Sequence, residues 1–222
     1  LYRLDSTARL NWLSHDGVRV AAGTRICDIT ESSRALLTAE RSALNFLQLL
    51  SAVATTTRRY VDRVAGTRAA ILDTRKTLPG LRVAQKYAVT VGGGRNHRMG
   101  LWDAILIKEN HIAAAGGIVP ALAAAKRDKR AAWVQIEVET PTQLREAVTA
   151  GATMVLLDNM SLEDMRAAVS WTAGRAELEA SGGITLDNVR AIAETGVDRI
   201  SIGALTKDIA AVDLSLRFAS GR

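Results

Sequence analysis

The chain has 222 residues, 48% hydrophobic and 23% charged, which is enough for one large domain or for a domain with a smaller unit attached. Its only cysteine, Cys27, excludes an intrachain disulfide, and we see neither a membrane-spanning run nor a signal-peptide layout, so we expect a cytoplasmic protein with no membrane partner. The net charge of +6 comes with only 4% aromatic residues and no nucleic-acid-binding motif, which argues against nucleic acid and for a small anionic ligand.

The amino-terminal part of the chain predicts a small α+β unit. Two short strands, residues 18–20 and 25–27, flank a turn at Gly23, and residues 38–64 contain neither glycine nor proline and carry apolar residues at helical spacing. Arg41 then falls in the first turn of a long helix, where its charge is mildly unfavourable against the helix dipole, and this favours a functional role. The unit begins as if in mid-course, so we expect its amino-terminal region to be incomplete.

From residue 69 onward, short apolar runs alternate with helical segments, which is typical of βαβ units and a parallel sheet. Six such units exceed what a small open sheet needs, so the pattern favours a barrel related to the (β/α)₈ design, with a doubly wound sheet as the alternative. The six runs are residues 70–72, 104–107, 134–138, 154–157, 178–180 and 200–202.

Polar residues or glycines follow each of these six runs. In an α/β barrel, the positions just past the carboxyl ends of the strands form the catalytic face. We therefore expect one polar rim. Its members are Asp73-Thr74-Arg75-Lys76, Lys108-Glu109-Asn110-His111, Glu137 and Glu139, Asp158-Asn159, Ser181-Gly182-Gly183, and Gly203-Ala204.

The third run alternates apolar and polar residues, so Glu137 and Glu139 share one face of the predicted strand. If the apolar face packs under the helices, both carboxylates point into the barrel, close to Lys76, Lys108 and Asp158. Such a set predicts a charge-compensated site that binds Mg²⁺ together with substrate oxygens. Two solvated acids at a strand end are the alternative.

Two glycine-containing segments follow the last two strands, Ser181-Gly182-Gly183 and Ile202-Gly203-Ala204, and each precedes a predicted helix. Glycines allow backbone N–H groups to approach a phosphate, and a helix amino terminus adds partial positive charge. The pair of segments predicts a phosphate site, although a single glycine pair is more often a plain turn.

The loop of residues 92–98 joins three glycines to Arg95, His97 and Arg98. Arginine forks suit planar carboxylates. By itself the loop is compatible with a flexible, solvated segment. Together with Arg75 and Lys76 on a neighbouring strand end, it predicts a clamp for a small polyanion.

A series of these motifs, in this order and over essentially the whole chain, resembles the quinolinate phosphoribosyltransferase family. The motifs are Asp73-Thr74-Arg75-Lys76-Thr77-Leu78-Pro79-Gly80, residues 92–98, Ile107-Lys108-Glu109-Asn110-His111, Glu137-Val138-Glu139, Leu157-Asp158-Asn159, Glu179-Ala180-Ser181-Gly182-Gly183-Ile184-Thr185 and Ser201-Ile202-Gly203.

The resemblance implies a type II phosphoribosyltransferase of the α/β class. Residues 1–66 would form a partial amino-terminal α/β sandwich domain with the long linking helix, and residues 67–222 an open seven-stranded α/β barrel. It also implies a homodimer in which each sandwich domain caps the barrel of its partner. A higher oligomer is left open.

The implied reaction joins quinolinate to phosphoribosyl pyrophosphate and releases pyrophosphate and CO₂, which yields nicotinate mononucleotide for NAD biosynthesis. By motif, Arg41 resembles an arginine that reaches into the partner's site. The residues that resemble the quinolinate binders are Arg75, His97, Arg98 and Lys108. Those that resemble the groups around phosphoribosyl pyrophosphate and its metal are Lys76, Glu137, Asp158, Ser181, Gly182, Gly183 and Gly203. Thr74, Glu139, Ile202 and Ala204 are further residues that we expect to bind substrate.

Catalytic roles fall by the same resemblance to Lys76, Lys108, Glu137 and Asp158. Glu137 and Asp158 would also be the Mg²⁺ ligands, and the choice between Glu137 and Glu139 is open.

Two other functions compete with this interpretation. One is a relative of the family that is associated with molybdenum transport, and the other is a phosphate-binding scaffold without catalysis. The complete set for two carboxylates, Arg41, Arg75, His97 and Arg98, argues against the first. The charges at successive strand ends argue against the second.

Overall fold

The computed structural model describes residues 3–219. Its amino-terminal unit has two antiparallel strands, β1 (Arg9–Trp12) and β2 (Cys27–Thr30), followed by α1 (Ser33–Arg63). The predicted strand at residues 18–20 is wrong, because β2 pairs with an earlier segment, Trp12 lying opposite Cys27, and this leaves the intervening residues in a loop.

The helix α1 begins five residues earlier than its periodicity suggests, because Ser32 caps it by accepting a hydrogen bond from the Ala35 N–H at 3.3 Å. Arg41 therefore lies in the third turn, and its expected conflict with the helix dipole is wrong. The second half of α1 is anchored in the core by buried residues that include Val53 and Tyr60.

The remainder of the chain alternates strands and helices, as the sequence predicts. The strands are β3 (Ala70–Leu72), β4 (Ile105–Ile107), β5 (Val134–Val138), β6 (Met154–Asp158), β7 (Glu177–Ser181) and β8 (Arg199–Ser201). The helices are α2 (Arg82–Val91), α3 (Glu109–Ala115), α4 (Ile118–Arg127), α5 (Pro141–Thr149), α6 (Leu162–Thr172), α7 (Val189–Ala193) and α8 (Ala204–Lys207).

All six of these strands are parallel, in the order β3-β8-β7-β6-β5-β4. The first strand of the series thus pairs with the last, as in an α/β barrel. A seventh position is held by one bridged residue at the free edge of β3. There Arg95 donates to the Ile71 carbonyl at 2.8 Å and accepts from the Asp73 N–H at 3.2 Å. No ladder joins this bridge to β4 within residues 3–219, so the sheet is open between them.

The two faces of the sheet are chemically different. On one face, Ile136, Val138, Val155 and Leu157 lie in the apolar core with residues of the surrounding helices, such as Leu144. The opposite face carries the polar residues of the same strands. In parallel register, Glu137 lies beside Leu156, Leu156 beside Glu179, and Glu179 beside Arg199.

Two helices near the predicted phosphate loops are shorter than expected. The helix after the Ser181–Gly183 segment, α7, begins only at Val189, because the Asn188 amide accepts from the Thr185 N–H at 2.8 Å and donates to the Gly183 carbonyl at 2.9 Å. The helix α8 has a single turn. Backbone N–H groups, rather than long helix dipoles, are therefore what these loops offer to an anion.

Candidate active site

An ion pair lies across the ends of β4 and β5. Lys108 Nζ donates to both carboxylate oxygens of Glu137, at 2.8 and 2.7 Å. The Lys108 backbone is held in place because its N–H donates to His111 Nδ1 at 3.0 Å at the start of α3. The Glu137 side chain is only 11% exposed, so its charge is compensated mainly by Lys108. The alternation of apolar and polar residues along β5 predicted this inward position of Glu137.

Asp158 ends β6 on the same face as Glu137, since it follows the registered partner Leu156 by two residues, or about 7 Å along the strand. It lies opposite Ser181 on β7, and its Oδ2 accepts from the Asn159 amide at 2.8 Å. Two carboxylates thus lie near the carboxyl ends of neighbouring strands, on one face.

Gly182 and Gly183 form an exposed loop beyond β7, and both have positive φ, 100° and 57°. A Cβ on Gly182 would lie 2.6 Å from Asn159 Cγ, so no other residue fits without displacement. Within residues 3–219, neither glycine N–H donates a hydrogen bond. Both groups are therefore available to an anion.

Lys76 connects the end of β3 to the end of β8. Its alkyl chain lies over Gly203, where a Cβ would come 3.0 Å from Lys76 Cδ. The Lys76 N–H donates to Thr74 Oγ1 at 3.1 Å, and the Thr206 hydroxyl donates to the Lys76 carbonyl at 2.8 Å. Lys76 itself is exposed. Ile202, just before this contact, is buried, and Ala204 starts α8.

The two basic loops of the predicted clamp are joined by a residue that sequence reasoning missed. Arg82, the first residue of α2, donates to the Arg75 carbonyl at 3.3 Å, the Met99 carbonyl at 3.2 Å and Thr77 Oγ1 at 3.2 Å. The only sequence signal for it is a basic residue at a helix start that follows the Arg75 motif.

Arg98 is buried, and its guanidinium donates to the Ala104 carbonyl at 3.3 Å. Burial, and next the charge of Arg75, lowers the pKa of Arg98, although an arginine remains protonated. The positive charges of Arg75 and Arg98 repel each other, and a bound dianion would offset this repulsion.

His97 lies beneath the rim rather than on it. Its Nδ1 accepts from the Arg98 N–H at 2.8 Å, and its Nε2 lies 3.0 Å from Gln135 Oε1, so both ring nitrogens are engaged within the protein. The ring is buried, and this burial lowers the pKa of His97 against the opposing charge of Glu179. Direct contact of His97 with a substrate stays a prediction.

A second buried network lies under the 92–98 loop, and sequence reasoning missed it as well. Lys86 on α2 pairs with Asp73, and the Lys86 ammonium also donates to the His97 carbonyl at 2.7 Å. The same Asp73 oxygen accepts from the His97 N–H at 2.9 Å. Burial raises the pKa of Asp73 to about 6, against the opposing effect of Lys86. The pair fixes the loop to the end of β3.

Two predicted residues are not brought to this site. Arg41 is exposed on α1, and no hydrogen bond or ion pair joins it to the strand ends in the part of the chain that the structure describes. Glu139 lies beyond the end of β5 and is exposed, its backbone N–H donating to Gln143 Oε1 at 2.8 Å. The contact of Glu137 with Lys108 favours Glu137 over Glu139 at the site.

No cluster of three or more His, Cys, Asp or Glu side chains suited to a metal occurs among residues 3–219. A metal at this site would therefore take most of its ligands from substrate oxygens and water, as Mg²⁺ does. No helix in the same residues is both long and apolar enough to cross a membrane.

Comparison with known proteins assigns this arrangement to a family. The family models for the N-terminal and C-terminal domains of quinolinate phosphoribosyl transferase match residues 2–51 and 53–217. The carboxylating nicotinate-nucleotide pyrophosphorylase of Mycobacterium leprae is 44% identical over 94% of this chain and 74% of its own length. The probable enzyme of that name from Bacillus subtilis is 44% identical over 90% of this chain and 70% of its own length.

A solved structure agrees with these relatives. The nicotinate-nucleotide pyrophosphorylase from Francisella tularensis superposes with a TM-score of 0.93 at 49% identity, over 96% of this chain and 76% of that one. The fold, the rim and the matches over both domains lead to one conclusion: the chain belongs to the quinolinate phosphoribosyltransferase family.

Proposed function

We propose that the carboxyl-end rim of this barrel joins quinolinate to phosphoribosyl pyrophosphate, with release of pyrophosphate and CO₂. The product is nicotinate mononucleotide, and the reaction belongs to NAD biosynthesis, in line with the names of the relatives. The observation that carries the proposal is the buried Arg98 with the charge of Arg75 nearby, together with a glycine loop after β7 whose N–H groups donate no hydrogen bond within residues 3–219. The two arginines suit a small dicarboxylate, and the glycine loop suits a phosphate.

Quinolinate would bind where the cations are concentrated. Arg98 and Arg75 would hold the two carboxylates. Lys108 lies at the rim, just after the end of β4. The pairing of Lys108 with Glu137 neutralises both groups while no dianion is present. Fixing the pyridine nitrogen in line with the sugar carbon converts an encounter in solution into a reaction between held groups.

Phosphoribosyl pyrophosphate would bind across the ends of β6, β7 and β8. The N–H groups of Gly182 and Gly183 suit a phosphate, and Lys76 suits the pyrophosphate. As the bond from the sugar carbon to pyrophosphate breaks, the ring gains oxocarbenium character. Glu137 and Asp158 place negative charge on that side of the site, where it stabilises the developing cation.

Mg²⁺ fits the residues present. Glu137 and Asp158 offer carboxylate oxygens on one face, and Mg²⁺ is usually bound through one or two carboxylates together with substrate phosphates. When bound, it would offset the negative charge on the departing pyrophosphate. We expect no turnover after exhaustive chelation and recovery when Mg²⁺ is restored.

Decarboxylation requires no further group. Once the ring nitrogen carries the ribosyl substituent it is positively charged, and it stabilises the electron pair that remains on carbon 2 when CO₂ leaves. That pair takes up a proton from water to give nicotinate mononucleotide, while the Arg75 and Arg98 cluster holds the 3-carboxylate in place.

The functional unit we propose is a homodimer with shared sites, in which Arg41 is donated to the partner's rim. Supporting this, Arg41 is exposed on α1, four residues after the exposed Leu37, and Trp12 and Leu13 of the amino-terminal unit are each 50% exposed. Large exposed apolar side chains of this kind are what a protein interface would cover. We also propose a cytoplasmic location, which the lone, unpaired Cys27 supports.

The test is the release of ¹⁴CO₂ from quinolinate labelled in its 2-carboxylate, in the presence and absence of phosphoribosyl pyrophosphate. We expect release only with both substrates, coupled one to one with nicotinate mononucleotide. Nicotinic acid, which lacks the 2-carboxylate, should be turned over far more slowly. Equal turnover of both acids, or binding without CO₂ release, would contradict the proposal and favour a scaffold or transport-related role.

A further inference from the structure

The interior of the barrel beneath the rim is polar where barrels usually carry branched apolar residues. Gln135 on β5 and Glu179 on β7 are both completely buried. Burying a carboxylate away from water costs several kcal/mol unless it is paired and hydrogen-bonded. Neither side chain lies at the rim, and neither has a role in the chemistry described above.

These two residues continue a hydrogen-bond chain that starts at the rim. The Arg98 N–H is a backbone amide and only donates, so His97 Nδ1, at 2.8 Å from it, is an acceptor without a proton. The proton of a neutral ring is then on Nε2, which donates to Gln135 Oε1 at 3.0 Å. The Gln135 amide in turn donates to Glu179 Oε2 at 3.0 Å. Each donor in this series is thereby paired with an acceptor, and His97 Nε2 also lies 3.5 Å from Glu179 Oε1, which has no hydrogen-bond partner within residues 3–219.

The negative charge of Glu179, at the far end of this series of hydrogen bonds, is neutralised. Arg199 on β8 lies with its Nε 3.4 Å from Glu179 Oε2, and the Trp133 ring packs edge-on against the His97 ring, with centroids 5.0 Å apart. The charged groups around His97 are Glu179 from β7, Arg199 from β8 and Lys86 from α2. The His97 backbone N–H is held separately by Asp73.

The direction of these hydrogen bonds affects the position of Arg98 at the rim. Only the tautomer with the proton on Nε2 offers an acceptor to the Arg98 N–H. A proton on Nδ1 would place two donors against each other and displace the Arg98 backbone, and with it the guanidinium at the site.

We infer that Gln135 and Glu179 are positioning residues for quinolinate binding: they hold His97 as the Nε2–H tautomer, and through His97 they hold Arg98 in place. This inference rests on the proposed function. It concerns residues that do not touch the substrate. Its effect should be specific to quinolinate, because within residues 3–219 these hydrogen bonds join Arg98, His97, Gln135 and Glu179 and include neither glycine loop.

The tautomer is measured directly by NMR. The chain contains three histidines, so a His15→Gln/His111→Gln protein labelled with ¹⁵N-histidine reports on His97 alone. We expect a protonated Nε2 and an unprotonated Nδ1 at pH 7. An imidazolium, or a proton on Nδ1, overturns the inference. This readout needs no substitution at Gln135 and does not depend on turnover.

Steady-state kinetics test the step from His97 to Arg98. Gln135→Met keeps the volume but removes both hydrogen bonds, and it should raise the KM for quinolinate about tenfold while the KM for phosphoribosyl pyrophosphate is unchanged. Glu179→Met should behave in the same way. Glu179→Gln keeps an acceptor for the Gln135 amide and should stay close to wild type.

Gln48→Met on α1 removes a hydrogen bond to the Leu214 carbonyl that is not part of this series, so it is the matched control and should leave both KM values unchanged. An unchanged quinolinate KM in folded Gln135→Met, or an equal rise of both KM values, overturns the inference. If the wild type binds quinolinate in calorimetry but does not turn it over, the proposed function alone fails, and the dissociation constants then replace KM in the same comparison.

Discussion

Gly203 lies directly beneath the alkyl chain of Lys76, and its φ of −67° is one that alanine adopts without strain. Gly203→Ala should therefore leave the fold intact and move Lys76, because the new Cβ would lie 3.0 Å from Lys76 Cδ. We expect turnover to fall by about tenfold or more, since a misplacement of about 1 Å can cost about a hundredfold. The free energy of unfolding should change by less than about 0.5 kcal/mol.

A double-mutant cycle shows whether Gly203 acts through Lys76. Lys76→Ala should reduce turnover about a hundredfold or more, the usual loss when a preorganised electrostatic group is removed. Adding Gly203→Ala to that variant should then have no further effect. Additive losses would mean that Gly203 acts by another route, such as its own backbone N–H.

At the scale of elements, the site depends on how loops from different strands are tied together. Arg82→Ala removes three hydrogen bonds that join the Arg75 segment to the Met99 segment, so the two halves of the clamp should separate. We expect the KM for quinolinate to rise several-fold with little change in the unfolding midpoint. Arg82→Lys should recover little, because an ammonium is not a planar fork.

Arg166→Ala provides the control for this experiment, since Arg166 is exposed on α6. It should leave both KM values at the wild-type level. A wild-type KM for quinolinate in Arg82→Ala would show that the two loops hold their positions without this residue.

The buried pair of Asp73 and Lys86 stabilises the same region. Lys86→Met should destabilise the protein by about 3–5 kcal/mol at pH 7, because it leaves the Asp73 carboxylate buried without a partner. Asp73→Asn/Lys86→Met should recover most of that loss. Urea unfolding measures the stability of the two variants. Equal free energies of unfolding would contradict the pairing of Asp73 with Lys86.

The same pair predicts a pH dependence. The pKa of Asp73 is about 6 in the folded protein against 3.8 ordinarily, so between these values the folded state holds the extra proton. The contribution of Asp73 to stability is thus present in full below about pH 4 and is lost as the pH rises to about 6. The wild type should therefore lose stability relative to the double variant over this window. A constant difference would show that the pKa is not raised.

For the whole molecule, the proposed dimer makes a quantitative prediction. Arg41→Ala and Lys108→Ala should each be inactive alone, but a mixed dimer would contain one site with both residues intact. With random subunit exchange half of the dimers are mixed, so activity should return to about a quarter of the wild-type level, for independent sites.

Subunit exchange is verified with two differently labelled chains before activity is measured. No recovery after verified exchange would mean that Arg41 acts within its own chain or not at all. A monomer in sedimentation analysis at working concentration would contradict the shared site itself.

The strands of the barrel were predictable because their signal is local. Each run of apolar residues followed by polar residues became a parallel strand, within one or two positions, and Glu137 is on the face that the alternation predicted. The amino-terminal unit was less predictable, because β1 and β2 have few residues and their pairing depends on a partner 15 or more positions away.

The composition and order of residues by themselves determined the fold class, the polar rim and the small anionic ligand, because periodicity and strand ends are properties of neighbouring residues. Only the tertiary structure decided which charges are paired and which are buried. Lys86 and His97 look like solvated residues in the sequence, yet both lie inside the protein. Their burial depends on the folded arrangement of the strands and helices around them. The hydrogen bonds of His97 to Gln135 and of Lys86 to Asp73 join segments that meet only in that fold.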